Sequence, residues 1–360
     1  MLTNLTIIIP TFNRSVFLLR SIKYWSNYDV NVLILDGSDS HLDDSYLSNL
    51  PTNISYHFLP ISFMKRLEVA SSLIKTKYCI LLGDDEFYIP SALYSAIIEL
   101  EKDPLLISCS GQTVGFSTGK MSSWFAKSKI LLGFIVYPER KGYSISQNTP
   151  RKRMIAHMTN YSPVSIYSVM RTSDWNKIIA MLGKKEIPVY AFFEIQFALA
   201  VSFLGKIKVL DKLFWLRSAE NNPVEGAELF DNTDNSFERW WLDSKKTREH
   251  LELLQIVGDT LSDKINTSTN IMEYVKTSLN KYLQFSIERQ LPYIVRLRIN
   301  LFFSFPLKLR LIFRNIFLHN GVGMPFDESI KKMVDMGIEV NTIELLEIEK
   351  LLYKFHNINK

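Results

Sequence analysis

The sequence predicts an α/β fold, a mostly parallel sheet flanked by helices, with an all-helical C-terminal appendage. Three observations carry that expectation. Short apolar runs alternate with longer helical patterns over residues 1 to about 112, the βαβα order that builds a parallel sheet covered by helices. After Ser236 the pattern changes to helices alone. At 360 residues the chain exceeds a single core of about 100 to 200 residues, so one large domain plus an appendage fits best. The boundary is expected near residue 235, in the polar stretch NNPVEGAELFDNTDNS, giving units 1–235 and 236–360. There is no internal repeat and no low-complexity tract.

Taken in order, Leu5 to Ile9, Val30 to Leu35, Ile54 to Phe58, Tyr78 to Leu82 and Leu106 to Ser110 read as strands. Helices near Ser15 to Tyr24, Ser62 to Thr76 and Ser91 to Lys102 lie between them, each opened by a residue able to cap free amides. Such a sheet places ligands at the carboxyl ends of its strands. From about 113 to 153 the periodicity weakens. PERKGYSISQNTPRKR, with Arg140, Lys141, Arg151, Lys152 and Arg153, has loop chemistry and suits a flap with a basic edge. A second ordered block follows: a strand at Ser165 to Met170, helices at Ser173 to Leu182 and about Val189 to Leu204, then strands near Ile207 to Leu210 and Phe214 to Leu216.

Composition narrows the class. The apolar fraction of 47% with 22% charged residues is that of a globular chain and leaves no room for disorder or a fibrous repeat. The excess of 42 Lys plus Arg over 37 Asp plus Glu is mild and suits anionic small substrates or an anionic membrane surface, with no nucleic-acid partner implied. Cys79 and Cys109 sit inside apolar runs, as small hydrophobes in a reducing compartment do. No secretory leader opens the chain and no uncharged apolar run reaches about 18 residues, so a cytoplasmic location is expected. The segment from Tyr293 to Arg314 carries Arg296, Arg298, Lys308, Arg310 and Arg314 among leucines and aromatics with no acidic residue. It suits a pair packed on the first domain with its basic side in water, or else a helix pair lying peripherally on an anionic inner leaflet of the plasma membrane.

The strongest chemical signal is Tyr78-Cys-Ile-Leu-Leu-Gly-Asp-Asp-Glu-Phe, a buried strand closed by Asp84, Asp85 and Glu86. Three adjacent carboxylates repel one another, and a hard cation such as Mg²⁺ or Mn²⁺ shared with a diphosphate reconciles them. A solvated acidic turn is the plainer alternative. A second carboxylate stands out at Glu194 in the apolar run Phe192-Phe-Glu-Ile-Gln-Phe. It must sit at a cleft, find a partner or titrate high, and each of these suits a base that takes a proton from a hydroxyl. The histidines show neither metal-ligand spacing nor a nucleophile partner.

Together with Thr6-Ile-Ile-Ile-Pro-Thr-Phe-Asn-Arg at the start and Val32-Leu-Ile-Leu-Asp-Gly-Ser-Asp-Ser one helix later, the acidic strand end resembles the family 2 glycosyltransferases of GT-A fold. The resemblance covers roughly residues 5 to 220. It implies that Thr11, Phe12 and Arg14 lie beside the nucleotide of a nucleotide-sugar donor and that Asp36 accepts a hydrogen bond from its base, with Asp39 near the same pocket. An Asp-Gly-Ser-Asp turn explains Asp36 and Asp39 without a ligand. It further implies a divalent metal, Mn²⁺ or Mg²⁺, held chiefly by Asp85 with Glu86 and with Asp84 assisting beside the donor. The family's first acidic position is Gly83 here. Lys65 and Arg66 become candidates for a donor contact, or a solvated helix face. Glu194 falls at the family's base position, Arg217 at its arginine, and Ala219 or Glu220 where its histidine would be, which makes Glu220 a candidate third ligand. The implied activity is inverting hexosyl transfer to a hydroxyl of a glycan or lipid-linked acceptor in surface polysaccharide assembly. The alternatives are a non-catalytic carbohydrate-binding relative, a pyrophosphorylase, whose Gly-rich loop is missing from Thr6 to Arg14, and a phosphatase, whose second carboxylate would fall at residue 38 and not at Asp39.

Overall fold

The computed structural model describes residues 2–123, 126–162, 165–183, 190–221, 244–262, 271–289 and 324–358. The chain begins β1 (Leu2–Thr11), α1 (Ser15–Trp25), β2 (Val30–Asp36), α2 (Asp44–Leu47), β3 (Ile54–Phe58), α3 (Phe63–Leu73) and β4 (Tyr78–Leu81). It continues with β5 (Phe87–Tyr88), α4 (Pro90–Lys102), β6 (Leu106–Ser123), β7 (Ala126–Val136), β8 (Ser144–Ile145), α5 (Pro150–Thr159), β9 (Val169–Arg171), α6 (Thr172–Leu182), α7 (Tyr190–Leu204) and β10 (Lys206–Ser218). Beyond it lie α8 (Thr247–Ser262), α9 (Ile271–Arg289), β11 (Met324–Pro325), α10 (Phe326–Asp335) and α11 (Thr342–His356).

All strands join one sheet in the order β11-β7-β6-β9-β4-β1-β2-β3, with β10 paired to β5, β6 and β8. The fold is α/β, as expected. The β1–β2, β2–β3, β1–β4 and β6–β10 pairs are parallel, and β9 lies antiparallel between β4 and β6. The β1, β2 and β4 core is apolar on both faces: Ile7, Ile9 and Ile34 enter one buried cluster while Ile8, Leu33 and Leu35 enter another. Strands buried on both sides by helices need that composition. The register sets Thr11 beside Asp36, so the first two strand ends are level.

Several local readings change. Where the periodicity weakens, β6 and β7 form a long hairpin; the expected loop from Pro138 holds only a 3₁₀ turn and the short β8 before Pro150–Thr159, which is helical. Val114 and Phe116 of β6 are buried, and the strand pairs with β10 on its other side, so tertiary partners override a weak local period. The two short strands expected near 207 and 214 are one, β10, and Ser165–Tyr167 is a 3₁₀ turn. No side-chain cap opens α1 or α3, and α4 starts with Pro90 at its first turn. Its Ser91 amide is met by the Glu344 carboxylate of α11 at 3.1 Å.

The helices beyond residue 236 share the cores of the first unit. Phe326, Met333, Leu345, Ile348 and Leu352 belong to the cluster that contains Ile7 and Phe116, and Leu253, Val257, Val275 and Leu279 to the one that contains Ile8 and Phe197. Met324–Pro325 also adds an edge strand to β7. The polar stretch around residue 235 and the basic segment 293–314 lie outside the described residues. No described helix is long and apolar enough to cross a membrane. Cys79 and Cys109 are buried free thiols.

Candidate active site

The carboxyl ends of β1, β2, β4 and β10 supply the chemistry, as a sheet of this kind leads one to expect. Strand geometry stops at the acidic triplet: Leu82 still donates to the Ile8 carbonyl, but Glu86 N–H folds back onto the Gly83 carbonyl at 3.3 Å. Asp84 and Glu86 therefore part company. Asp84 is buried and accepts from the Thr11 hydroxyl at 2.6 Å, with Arg14 Nη1 at 3.3 Å from its other oxygen. Burial and the neighbouring Asp85 charge push its carboxyl up to about 6, against the pull of Thr11 and Arg14. Asp85 lies 3.7 Å from Arg14 Nη1 and accepts from Asn221 Nδ2 at 2.9 Å. Glu86 points instead toward β10, where the Trp215 indole N–H donates to it at 3.0 Å. Burial first, then the Asp85 charge, raise its carboxyl to about 8 despite Arg217 and Trp215. A Cβ on Gly83 would crowd the Glu86 carboxyl at 3.0 Å, so a glycine suits this turn.

The second strand end forms its own nest. Asp36 is buried, taking the Ser38 amide at 2.8 Å on one oxygen and the Tyr56 hydroxyl at 2.5 Å on the other. Asp39 is exposed and exchanges two hydrogen bonds with Asn13, 2.9 Å from the Asn13 amide to its carboxylate and 3.1 Å from its own N–H to Asn13 Oδ1. Asn13 sits in the left-handed region at φ 53°, so the loops after β1 and β2 are zipped together. Phe12 is half-buried at the same loop.

Arg66 is placed differently from a donor contact. Its guanidinium is buried and donates to the carbonyls of Thr11 at 2.7 Å and Leu35 at 3.1 Å, bracing the two strand ends from behind. Gly37 leaves the room it occupies. Lys65 is on the exposed face, paired with Glu68 at 2.8 Å.

Across from the acidic turn stand α7 and β10. Glu194 is partly exposed, and burial raises its carboxyl to about 7 against the opposing Arg217 charge. Arg217 donates to the Tyr137 hydroxyl at 2.7 Å and lies over the rings of Trp215 and Tyr137. Its charge opposes the rise at both Glu86 and Glu194. Tyr137 adopts left-handed backbone at φ 54°, and Trp215 is stacked on Tyr167 at 4.6 Å. Strain of that kind on a bulky residue gathers at functional sites.

Glu220, expected as a third metal ligand, is turned elsewhere. Arg20 Nη1 bonds it at 2.8 Å and His356 of α11 touches its other oxygen. Burial alone would raise this carboxyl, but His356 and Arg20 outweigh it and hold it below its ordinary value. The expected set of Asp85, Glu86 and Glu220 thus does not converge, and among the described residues no three His, Cys, Asp or Glu side chains gather as a metal-binding group. What remains suited to a divalent ion is Asp85 with Asp84, which matches Mg²⁺ sites built from one or two carboxylates completed by phosphate and water oxygens.

Sequence reasoning missed Tyr56, Tyr137, Trp215, Asn221, Arg20 and His356. Each reaches the site from a distant part of the chain, and only the Trp-Leu-Arg run of β10 carried a local hint. His157 is a core residue, between the Tyr143 and Ser165 hydroxyls, with burial holding it down at about 3.

No protein-family model and no curated sequence matches this chain. Among solved structures it is similar to S. aureus TarS at 14% identity and a TM-score of 0.41, over 80% of this chain and 56% of that one. It is also similar to TarS 1-349 in complex with UDP-GlcNAc, at 13% identity and a TM-score of 0.43 over 80% and 92%. For TarS 1-349 in complex with UDP the values are 15% and 0.41, with the same coverage. The chain thus spans little more than half of full-length TarS.

Proposed function

We propose that the chain is a glycosyltransferase that takes a sugar from a nucleoside-diphosphate donor and passes it, with inversion, to a hydroxyl of a glycan or lipid-linked acceptor. One observation carries the reading: Asp84 and Asp85 stand with Thr11 and Arg14 at level strand ends, Asp84 taking the Thr11 hydroxyl at 2.6 Å and Arg14 Nη1 lying 3.3 Å from Asp84 and 3.7 Å from Asp85. In the proposed site the nest at Asp36, Tyr56 and Asn13 takes the nucleoside, and Arg14 and Arg217 take the diphosphate. A divalent ion on Asp85, with Asp84 behind it, would supply charge stabilisation for the departing phosphate.

Glu194 is the proposed base. In a single displacement the acceptor oxygen bonds to the anomeric carbon as that carbon's bond to the phosphate oxygen breaks, and Glu194 receives the hydroxyl proton. A carboxylate held near 7 accepts that proton far better than one at an ordinary value, and such bases contribute about 10² to 10⁴-fold. A role in surface polysaccharide assembly and a peripheral membrane location belong to the same proposal.

The test is calorimetric titration of UDP, GDP, CDP and dTDP with Mn²⁺, followed by metal-dependent release of the nucleotide from the matching sugar donor. Binding without any turnover or hydrolysis would favour the carbohydrate-binding alternative, and no binding of any of the four would refute the nucleotide site.

A further inference from the structure

We infer that Arg20 is a positioning residue for Asp85 and that the C-terminal helix α11 is part of the donor site through it. This rests on the nucleotide-sugar reading above. Arg20 lies on α1, and its side chain is fully buried within a box of four rings, Phe355 at 4.5 Å, Phe17 at 5.0 Å, Phe87 at 5.3 Å and Phe116 at 5.9 Å. A guanidinium so enclosed is tolerated only where its charge is met. Its charge is met by Glu220, and its two terminal nitrogens make a two-armed grip while Nε has no hydrogen-bond partner: Nη2 donates to the Asp85 main-chain carbonyl at 2.7 Å and Nη1 to Glu220 Oε2 at 2.8 Å. The rigid fork therefore fixes the acidic turn relative to the exit of β10.

That exit holds Asp85 a second time. Asn221, next to Glu220, donates to Asp85 Oδ2. Both the backbone and the carboxylate of the favoured metal and phosphate residue are thus set from one dipeptide, Glu220-Asn221, which is in turn clamped by His356 at the end of α11. The same helix supplies Phe355 to the box around Arg20. Two other polar anchors of α11, Glu344 on Ser91 and Glu347 on the Tyr28 hydroxyl at 2.6 Å, lie elsewhere along the helix. Residues that orient a ligand-bearing carboxylate without touching the ligand change affinity by about 10- to 100-fold when removed.

The experiment compares full-length Arg20→Met, Arg20→Lys, His356→Ala, His356→Gln and Glu347→Gln with the unaltered protein. Thermal unfolding is followed by circular dichroism, and UDP, GDP, CDP and dTDP are titrated with Mn²⁺ at a temperature where each variant is folded. Arg20→Met and Arg20→Lys should lose about tenfold or more in affinity, because neither keeps the fork. His356→Ala should lose less, His356→Gln should recover it, and Glu347→Gln should bind within about twofold of the unaltered protein while still lowering the melting point. If Glu347→Gln weakens binding as much as His356→Ala at equal loss of stability, α11 acts only as packing and the inference falls. It falls too if the Arg20 variants bind normally. Should Arg20→Met not fold, Arg20→Lys and the His356 pair decide. Absence of nucleotide binding in the unaltered protein overturns the nucleotide reading itself, a result distinct from the other two.

Discussion

Replacing Glu194 with Gln removes the proposed base while leaving the strand-end nest and the acidic turn untouched. The expected loss in kcat is about 10² to 10⁴-fold, equivalent to about 3 to 5 kcal/mol in the barrier at about 1.4 kcal/mol per decade. Nucleotide affinity should stay nearly constant, because Glu194 is not among the proposed donor contacts. The pH profile adds a second, independent readout. Burial holds the carboxyl at about 7, and a base works only when deprotonated. The ionised fraction is about one in eleven a unit below that value and about ten in eleven a unit above it. Activity at saturating donor should thus rise about fivefold between pH 6 and 7, more steeply below that, and level off above about 8. Arg217 opposes the rise, so Arg217→Met should move the inflection upward. The assay is steady-state nucleotide release between pH 5.5 and 9. A flat profile over that range, or an E194Q enzyme with normal turnover, would refute the assignment.

Three further outcomes are expected. A Cβ at Gly37 would lie 2.6 Å from Arg66 Cζ, so Gly37→Ala should push the guanidinium off the Thr11 and Leu35 carbonyls. The stability loss is expected at about 1 to 3 kcal/mol, read from urea midpoints. Tyr56→Phe takes the hydroxyl from a buried carboxylate, Asp36, and should destabilise by about 1 to 3 kcal/mol. Unchanged unfolding would show that Asp36 does not depend on that bond. Asp85→Asn should abolish the gain in nucleotide affinity that Mn²⁺ gives, as chelation does in the unaltered protein. An undiminished Mn²⁺ effect in Asp85→Asn would remove the metal role from that residue.

The parallel strands, the order of the N-terminal elements and the acidic strand end were legible in the sequence because each depends on neighbours a few residues apart. Ile7 to Ile9 and Val32 to Leu35 are apolar on both faces, and only a doubly covered strand accepts that pattern. Gly83 to Glu86 and Asp36 to Asp39 were visible as polar ends of those runs. The roles of the side chains were not legible. Arg66 resembles a ligand contact in the linear pattern, yet the room left by Gly37 turns it inward onto two carbonyls. Glu86 and Glu220 look like ligands beside Asp85, but a single turn directs one to Trp215 and a helix more than a hundred residues later claims the other. The long hairpin from Leu106 to Val136 likewise owes its form to β10 and β9, not to local periodicity. Local sequence determined where the doubly buried N-terminal strands lie, because backbone preference and burial act over short range. Which carboxylate is bare and which is paired is decided by tertiary structure, because charge and hydrogen-bond partners arrive from segments whose proximity no short-range pattern encodes.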